Sequence, residues 1–327
     1  MELTYCYQEW LFRETFKISR SASTASRLFV AYVRDGDLIG RGECGILPQY
    51  GETQADVAAG LEAARDLIAG GITREELPRS VPNSSVRNAL DCALWDLECK
   101  REERSIWDLI GVARRDSLEC DLTISVNPVE KMCADATRAL DLGYRILKLK
   151  ADKTDVIERV SAIAASAPGV RLIVDANEAW DIETLRRVDQ RLAELGVVLI
   201  EQPLPHQNDA TLASYRGPVP ICADESCRDI TAMPLLAERY QAINIKLDKV
   251  GGLTAGLELA QDAKARGMEL MLGSNGPTSL GAAPGYVLST FADHIDMDGP
   301  PLLLEDRAHA MLYRDGRMHC FTERLWG

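Results

Sequence analysis

Short apolar runs recur along the second part of this chain, and several of them end in a charged residue. The charged residues near successive run ends are Lys150, Asp175, Glu201, Asp224 and Lys246, at intervals of 25, 26, 23 and 22 residues. A unit of that length accommodates one strand, one helix and two short loops, and a row of such units closes most naturally into a (β/α) barrel. A doubly wound open sheet is the alternative. The repeat therefore predicts an α/β fold.

The first part of the chain has a different pattern. Residues 1 to about 45 are strand-like, and a turn sequence at 35–37 separates two candidate antiparallel strands. Residues 53–70 and 84–102 have the apolar spacing of helices, and Asn83 is a candidate cap of the second helix. Strands followed by helices predict a separate α+β domain ahead of the barrel.

Three of the strand ends carry carboxylates, namely Asp175, Glu201 and Asp224. All strands of such a barrel run in the same direction, so these side chains would converge on one face. Three carboxylates repel one another unless a cation neutralises them, and oxygen ligands without nearby His or Cys favour Mg²⁺. A single acid at a strand end is most often a solvated loop carboxylate. Three acids in successive repeats favour the metal site.

Lysines flank these acids. Lys148 and Lys150 alternate with apolar residues, so the strand period of two places both ammonium groups on one side, and Lys246 and Asp248 repeat the arrangement farther along. An isolated Lys in an apolar strand is commonly an edge residue or extends to solvent. Two such sites beside a metal suit removal of a proton α to a carboxylate, because a divalent ion stabilises the enediolate that forms.

Composition limits the class of partner. The net charge of −13 argues against nucleic acid and against an anionic membrane surface. The nine cysteines include no CxxC pair, which favours buried thiols over disulfides or a zinc site. No apolar run reaches the roughly 18 residues of a membrane helix, and the first residues lack a signal-peptide pattern. These features predict a cytoplasmic protein with a small-molecule substrate, and a homo-oligomer is left open.

Five motifs together resemble the enolase superfamily, in its muconate-lactonising subgroup. They are Lys-Leu-Lys at 148–150, Asp-Ala-Asn at 175–177, Glu-Gln-Pro at 201–203, Ala-Asp-Glu-Ser at 223–226 and NIKLDKVGG at 244–252. The resemblance implies a modified (β/α)₇β barrel at 116–299 beneath an α+β capping domain at 1–115, completed by about 300–327. It also implies Mg²⁺ on the three acids, a pair of bases at Lys150 and Lys246, and stabilisation of the enediolate by Lys148.

Further stretches are similar to those of dipeptide epimerases. Asp296 and Asp298 resemble the Asp-x-Asp element that holds a substrate's ammonium group, although a solvated turn would have the same sequence. Residues 16–27 and 49–53 occupy the positions of the two lid segments, in which Arg20 would pair with a distal carboxylate. Ser274 and Asn275 open a polar turn where those epimerases carry a bulky residue, which leaves open the preferred dipeptide.

The resemblance implies an isomerase that inverts the C-terminal residue of an L-Ala-D/L-Xxx dipeptide, with L-Ala-D/L-Glu as the leading candidate and murein peptide metabolism as the setting. Two alternatives use the same residues. One is a cycloisomerase or dehydratase of the subgroup, such as a muconate cycloisomerase or an o-succinylbenzoate synthase. The other is a non-catalytic Mg²⁺-dependent binding homologue, because fold alone does not fix function.

Overall fold

The amino-terminal part of the protein is a three-stranded antiparallel sheet packed against helices. The computed structural model describes residues 1–327. The strands are β1 (Glu2–Ile18), β2 (Ser21–Asp35) and β3 (Leu38–Gly45), and the short strand β4 (Ser117–Glu119) follows the helices. The helices are α1 (Gln54–Ala63), α2 (Arg65–Ala69), α3 (Leu77–Ser80), α4 (Ser84–Glu102) and α5 (Ile106–Ile110).

Local sequence accounts for these elements. Strands β2 and β3 pair in an antiparallel register that brings Asp35 opposite Leu38, so the predicted turn is confirmed. Helix α4 begins after Asn83, whose side chain accepts a hydrogen bond from the Val86 N–H, as the predicted cap requires. The first predicted helix is interrupted at Ala64, between α1 and α2. Sheet and helices share an apolar core of their own.

Eight parallel strands follow in chain order and form one sheet. They are β5 (Leu122–Ile124), β6 (Ile146–Lys150), β7 (Arg171–Asp175), β8 (Val197–Glu201), β9 (Ile221–Ala223), β10 (Ala242–Ile245), β11 (Glu269–Gly273) and β12 (His294–Asp296). The edge strands β5 and β12 meet through the Asp121 N–H, which donates to the Ile295 carbonyl at 3.0 Å. The sheet is therefore a nearly closed barrel, and the predicted barrel fold is confirmed.

Helical segments connect consecutive strands. The α-helices are α6 (Val129–Asp141), α7 (Val156–Ser166), α8 (Ile182–Glu194), α9 (Met233–Arg239), α10 (Leu247–Val250), α11 (Leu253–Ala265) and α12 (Ser279–Val287). Between β8 and β9 the connection is a 3-10 helix, Asp209–Ser214, in place of the α-helix that the repeat predicts. None of the helices is both long enough and apolar enough to cross a bilayer.

Strand β6 shows how the barrel sorts its side chains. Leu147 and Leu149 belong to the large core shared with the outer helices, whereas Lys148 and Lys150 point the opposite way, into the barrel, and are also buried. Edge exposure and extension to solvent are therefore wrong for both lysines. The interior is closed below them by one apolar residue from each of six strands: Ile146, Ile173, Leu199, Cys222, Ala242 and Met271.

The carboxy-terminal segment returns to the amino-terminal part. It contains α13 (Gly299–Leu302), β13 (Tyr313–Arg314) and β14 (Arg317–His319), and β14 pairs with β4. Near the chain end, the Trp326 indole N–H donates to the Cys92 carbonyl of α4 at 3.0 Å. The domain boundaries placed near residues 115 and 299 stay a prediction.

Candidate active site

Three buried acids meet at the carboxyl ends of adjacent strands. Asp175 ends β7, Glu201 ends β8 and Asp224 follows β9; one carboxylate oxygen of each lies within 4.8 Å of the others. Neighbouring polar groups orient two of them. The Asn177 N–H donates to Asp175 Oδ1 at 2.9 Å, and the Asn244 amide donates to Glu201 Oε1 at 2.7 Å. The structure thus brings together the three predicted metal ligands in a fixed arrangement.

The predicted lysines lie around these acids. Lys150 Nζ donates to Asp175 Oδ2 at 2.6 Å, and Lys246 Nζ donates to Asp224 Oδ2 at 2.8 Å. Lys150 ends β6 and Lys246 follows β10, so the strands that carry the acids lie between the two lysines. Two amines approach one acid cluster from opposite sides.

Lys148 lies between the acid cluster and the last strand. Its Nζ is 2.6 Å from Glu201 Oε2, 3.3 Å from Asp175 Oδ2 and 2.5 Å from Asp296 Oδ2. Burial disfavours the charged ammonium, but the charges of Asp296 and Glu201 outweigh burial and hold the pKa of Lys148 well above its usual range. Lys148 is therefore a permanent positive charge in the interior.

Neighbouring charges also set the pKa values of Glu201, Asp175 and Lys246. Burial and the charge of Asp175 raise the pKa of Glu201 to about 7. Burial also acts to raise the pKa of Asp175, but the Lys150 ammonium outweighs it and the pKa falls to about 2. Burial opposes charge on Lys246, yet the Asp224 carboxylate raises the pKa of Lys246 above its ordinary value. A cation bound to Asp224 would therefore weaken the interaction that keeps Lys246 protonated.

Two buried polar residues that the sequence did not single out complete the cluster. Lys249 Nζ donates to Asp224 Oδ1 at 2.5 Å and to the Asn244 carbonyl at 3.1 Å. Asn244 in turn orients Glu201. Both residues lie within the motif at 244–252, and the alternation of polar and apolar residues in β10 was the available signal for Asn244. Lys249 follows the strand, in α10, where strand periodicity gives no information.

The predicted ammonium-binding acids lie beside Lys148. Asp296 Oδ2 accepts from Lys148, and Asp298 Oδ2 accepts from the Thr123 N–H of β5 at 2.6 Å. A third acid, Asp121, joins them: one carboxylate oxygen from each of the three lies within 4.8 Å of the others. All three are buried, so the solvated-turn interpretation of Asp296 and Asp298 is wrong.

Arg20 lies at the tip of the β1–β2 hairpin, above the strand ends. Its guanidinium donates to Glu178 Oε2 at 3.1 Å and to Glu225 Oε1 at 2.6 Å. The second predicted lid segment approaches the same place, because the Tyr50 hydroxyl donates to the Glu225 carbonyl at 3.1 Å. Both segments therefore contact the rim of the barrel, and pairing of Arg20 with a substrate carboxylate stays a prediction.

Ser274 and Asn275 follow β11 and lie toward the amino-terminal sheet. They line a small cavity together with Asp248, whose Oδ2 accepts from the Asn275 amide at 3.4 Å. Asp248 also accepts from the Asn88 amide of α4 at 2.8 Å. These contacts connect the barrel to α4, and a substrate contact of Ser274 or Asn275 stays a prediction.

The donor set at Asp175, Glu201 and Asp224 fits a hard divalent cation. All three ligands are carboxylates, and no His or Cys is part of the cluster. Glu201 Oε2 has an ion-pair contact with Lys148 but no hydrogen bond of good geometry, so a buried acceptor is left over. These residues would hold Mg²⁺.

Two family models match the sequence. Residues 1–111 match the model described as mandelate racemase / muconate lactonizing enzyme, N-terminal domain. Residues 131–321 match the model described as enolase C-terminal domain-like. The first range contains the amino-terminal sheet and its helices. The second contains seven of the eight barrel strands and the three acids Asp175, Glu201 and Asp224.

Characterised relatives cover most of the chain. An L-Ala-D/L-Glu epimerase of Escherichia coli (strain K12) is 39% identical over 312 residues, which are 95% of this chain and 97% of that protein. An N-acetyl-D-glutamate racemase of a Pseudoalteromonas species is 42% identical over 252 residues, which are 77% of this chain and 79% of that protein.

Solved structures of similar proteins superpose closely. An enolase family member from Agrobacterium tumefaciens, with bound sodium and L-Ala-L-Glu and an ordered loop, has a TM-score of 0.96 at 38% identity over 100% of this chain and 99% of that chain. A dipeptide epimerase from Methylococcus capsulatus, in complex with Mg and L-Arg-D-Lys, has a TM-score of 0.89 at 27% identity. The match covers 98% of this chain and 97% of that chain.

Proposed function

The chain belongs to the mandelate racemase / muconate lactonizing enzyme family of the enolase superfamily, and on this premise we propose that it is an Mg²⁺-dependent dipeptide epimerase. It is an isomerase that inverts the α-carbon of the C-terminal residue of an L-Ala-D/L-Xxx dipeptide, and L-Ala-D/L-Glu is the leading candidate. The observation that carries the proposal is the pair of buried lysines on opposite sides of one acid cluster.

Asp175, Glu201 and Asp224 would hold Mg²⁺. When bound, Mg²⁺ supplies positive charge to the oxygens of the substrate's carboxylate, which acidifies the adjacent C–H bond. Lys148 contributes a second fixed positive charge next to Glu201, and burial in the barrel strengthens its effect on an anion.

Lys150 and Lys246 act as the two bases. One removes the α-proton from its side of the substrate, and the other returns a proton from the opposite side, so the configuration at the α-carbon inverts. Their roles exchange with the direction of the reaction. This arrangement explains why two amines flank the cluster, since a protein that only bound a ligand would gain nothing from a second base.

Charged groups at the edge of the site select the substrate. Asp296 and Asp298 anchor the substrate's ammonium group, and Arg20 pairs with the side-chain carboxylate of a C-terminal Glu. Arg20 would exchange its contacts with Glu178 and Glu225 for that carboxylate or share them with it. Support for a dipeptide also comes from the relative at 39% identity, an L-Ala-D/L-Glu epimerase.

A substrate panel in D₂O tests the proposal. Purified protein with Mg²⁺ is incubated with L-Ala-L-Xxx dipeptides, N-acetyl-D-glutamate, muconate and a succinylbenzoate precursor, and proton NMR with chiral chromatography follows each. We expect epimerisation of L-Ala-L-Glu with deuterium at the C-terminal α-carbon, and loss of it with EDTA or in the Lys150→Gln/Lys246→Gln double variant. Turnover confined to N-acetyl-D-glutamate, or to cyclisation or elimination, would refute dipeptide specificity, and tight binding without turnover would show a binding homologue.

A further inference from the structure

Asp121 occupies a position at which the neighbouring strand β6 carries an apolar residue. It precedes β5 and lies two residues before Thr123, which is opposite Lys148 in the parallel register, so Asp121 faces the barrel interior at the level of Ile146. Ile146 belongs to the apolar layer that closes the interior. The residue that precedes β5 is therefore an acid next to this layer.

The carboxyl of Asp121 accepts no hydrogen bond, although the residue is fully buried. Both of its oxygens are unpartnered, and one of them lies within 4.8 Å of oxygens of both Asp296 and Asp298. Those two acids each use one oxygen, Asp296 for Lys148 and Asp298 for the Thr123 N–H. Asp121 thus points toward acceptors that have an oxygen to spare, across a span that a shared proton or one bridging water can fill.

An ionised Asp121 would be an uncompensated buried charge. The cation that acts most strongly on it is Lys148, which already contacts Asp296, Glu201 and Asp175. Other titratable groups near it, Cys120 on its own segment, Tyr144 and Glu201, offer no positive charge. Burial first, and then the charges of Asp296 and Asp298, raise the pKa of Asp121 well above its usual range.

We propose that Asp121 is a positioning residue that keeps its proton and donates it to the Asp296–Asp298 pair. The shared proton screens the repulsion between the two carboxylates and fixes their free oxygens toward an incoming ammonium group. The inference rests on the proposed function, because it assigns the pair to the ammonium of a dipeptide. Its consequence is that selection of a free amine depends on a residue that does not touch the substrate.

Two substitutions at Asp121 distinguish a protonated side chain that donates a hydrogen bond from an ionised one. Asp121→Asn keeps a donor of the same shape, and Asp121→Leu converts the position to the apolar character of the neighbouring layer. We expect kcat/KM for L-Ala-L-Glu within about threefold of the parent for Asn and lowered at least about tenfold for Leu, mainly through KM. Ile146→Val in the adjacent layer is the matched control and should leave both constants unchanged. Equal loss in the Asn and Leu variants would overturn the proposal.

An infrared measurement tests the proton without any substrate. A difference spectrum between the parent and Asp121→Asn at neutral pH should contain the C=O stretch of one protonated carboxyl group. Absence of that band refutes a protonated Asp121, whatever the substrate proves to be and even if the Leu variant does not fold. A band together with no epimerisation of any dipeptide would refute the proposed function and leave the protonated acid standing.

Discussion

Replacement of either proposed base, Lys150 or Lys246, should separate α-proton exchange from epimerisation, two reactions that the parent enzyme couples. Lys150 and Lys246 have side chains only 8% and 9% exposed, and each donates to a different acid of the cluster, at 2.6 and 2.8 Å. Glutamine is neutral, cannot act as a base, and retains an N–H that can donate to the same carboxylate. Lys150→Gln and Lys246→Gln therefore remove one proposed base each and leave the neighbouring carboxylate a hydrogen-bond donor.

The size of the effect follows from the role of the lysines. A positioned general base contributes about 10²- to 10⁴-fold to a proton transfer, which is about 3 to 5 kcal/mol of barrier. Epimerisation needs both bases, so each variant should lose it by at least about 10³-fold. Exchange of the α-proton needs only the base on the side of that proton. Each variant should accordingly retain deuterium exchange into one enantiomer and lose exchange into the other, with opposite preference in the two variants.

The assay is proton NMR in D₂O on L-Ala-L-Glu and L-Ala-D-Glu separately, with product configuration determined by chiral chromatography. Lys131→Gln is the matched control, because Lys131 lies on α6 with a side chain 40% exposed. It should behave as the parent does. Epimerisation within tenfold of the parent in either single variant would refute the two-base scheme, and so would the same enantiomer preference in both variants.

Three further predictions concern the metal, the lid and the pH dependence of stability. Glu201→Gln should weaken Mg²⁺ binding by at least about tenfold, which isothermal titration measures; unchanged affinity would remove Glu201 from the ligand set. Arg20→Gln should raise KM about tenfold for a C-terminal Glu but not for an uncharged residue, with exposed Arg34→Gln as control, and a uniform change would contradict the assignment. Burial raises the pKa of Asp91 to about 6, so the folded state retains a proton that the unfolded state loses as pH rises from about 4 to 6. The free energy of unfolding should fall over that interval by up to ~3 kcal/mol relative to Asp91→Asn in denaturant titrations, and parallel pH profiles would refute it.

Much of the barrel and of the acid cluster could be predicted because both depend on local periodicity. A strand places alternate side chains on opposite faces, so Lys148 and Lys150 had to share one face once β6 was recognised. Parallel strands end at one edge, so acids at their ends had to converge. Repeats of 22 to 26 residues allow only one helix and short loops between strands. They did not reveal that the connection between β8 and β9 is a 3-10 helix.

The contacts that the sequence did not predict all depend on how distant segments are placed relative to one another. Asp121 is an ordinary acid ahead of a short strand until β12 closes the barrel beside it. Lys249 reaches Asp224 only because α10 folds it back beside Asn244 of β10. Likewise, Arg20 meets Glu225 through packing of the hairpin over the barrel rim, 205 residues away along the chain.

The sequence by itself thus determined the barrel, its three metal-binding candidates and its inward lysines, since periodicity fixes which face a side chain takes. Only the tertiary structure decided that Asp175, Glu201 and Asp296 share Lys148 as a partner and that the buried Asp121 accepts no hydrogen bond. That choice depends on the relative shift of neighbouring strands and on closure between the first and last strands, and neither is encoded in the pattern of a single segment.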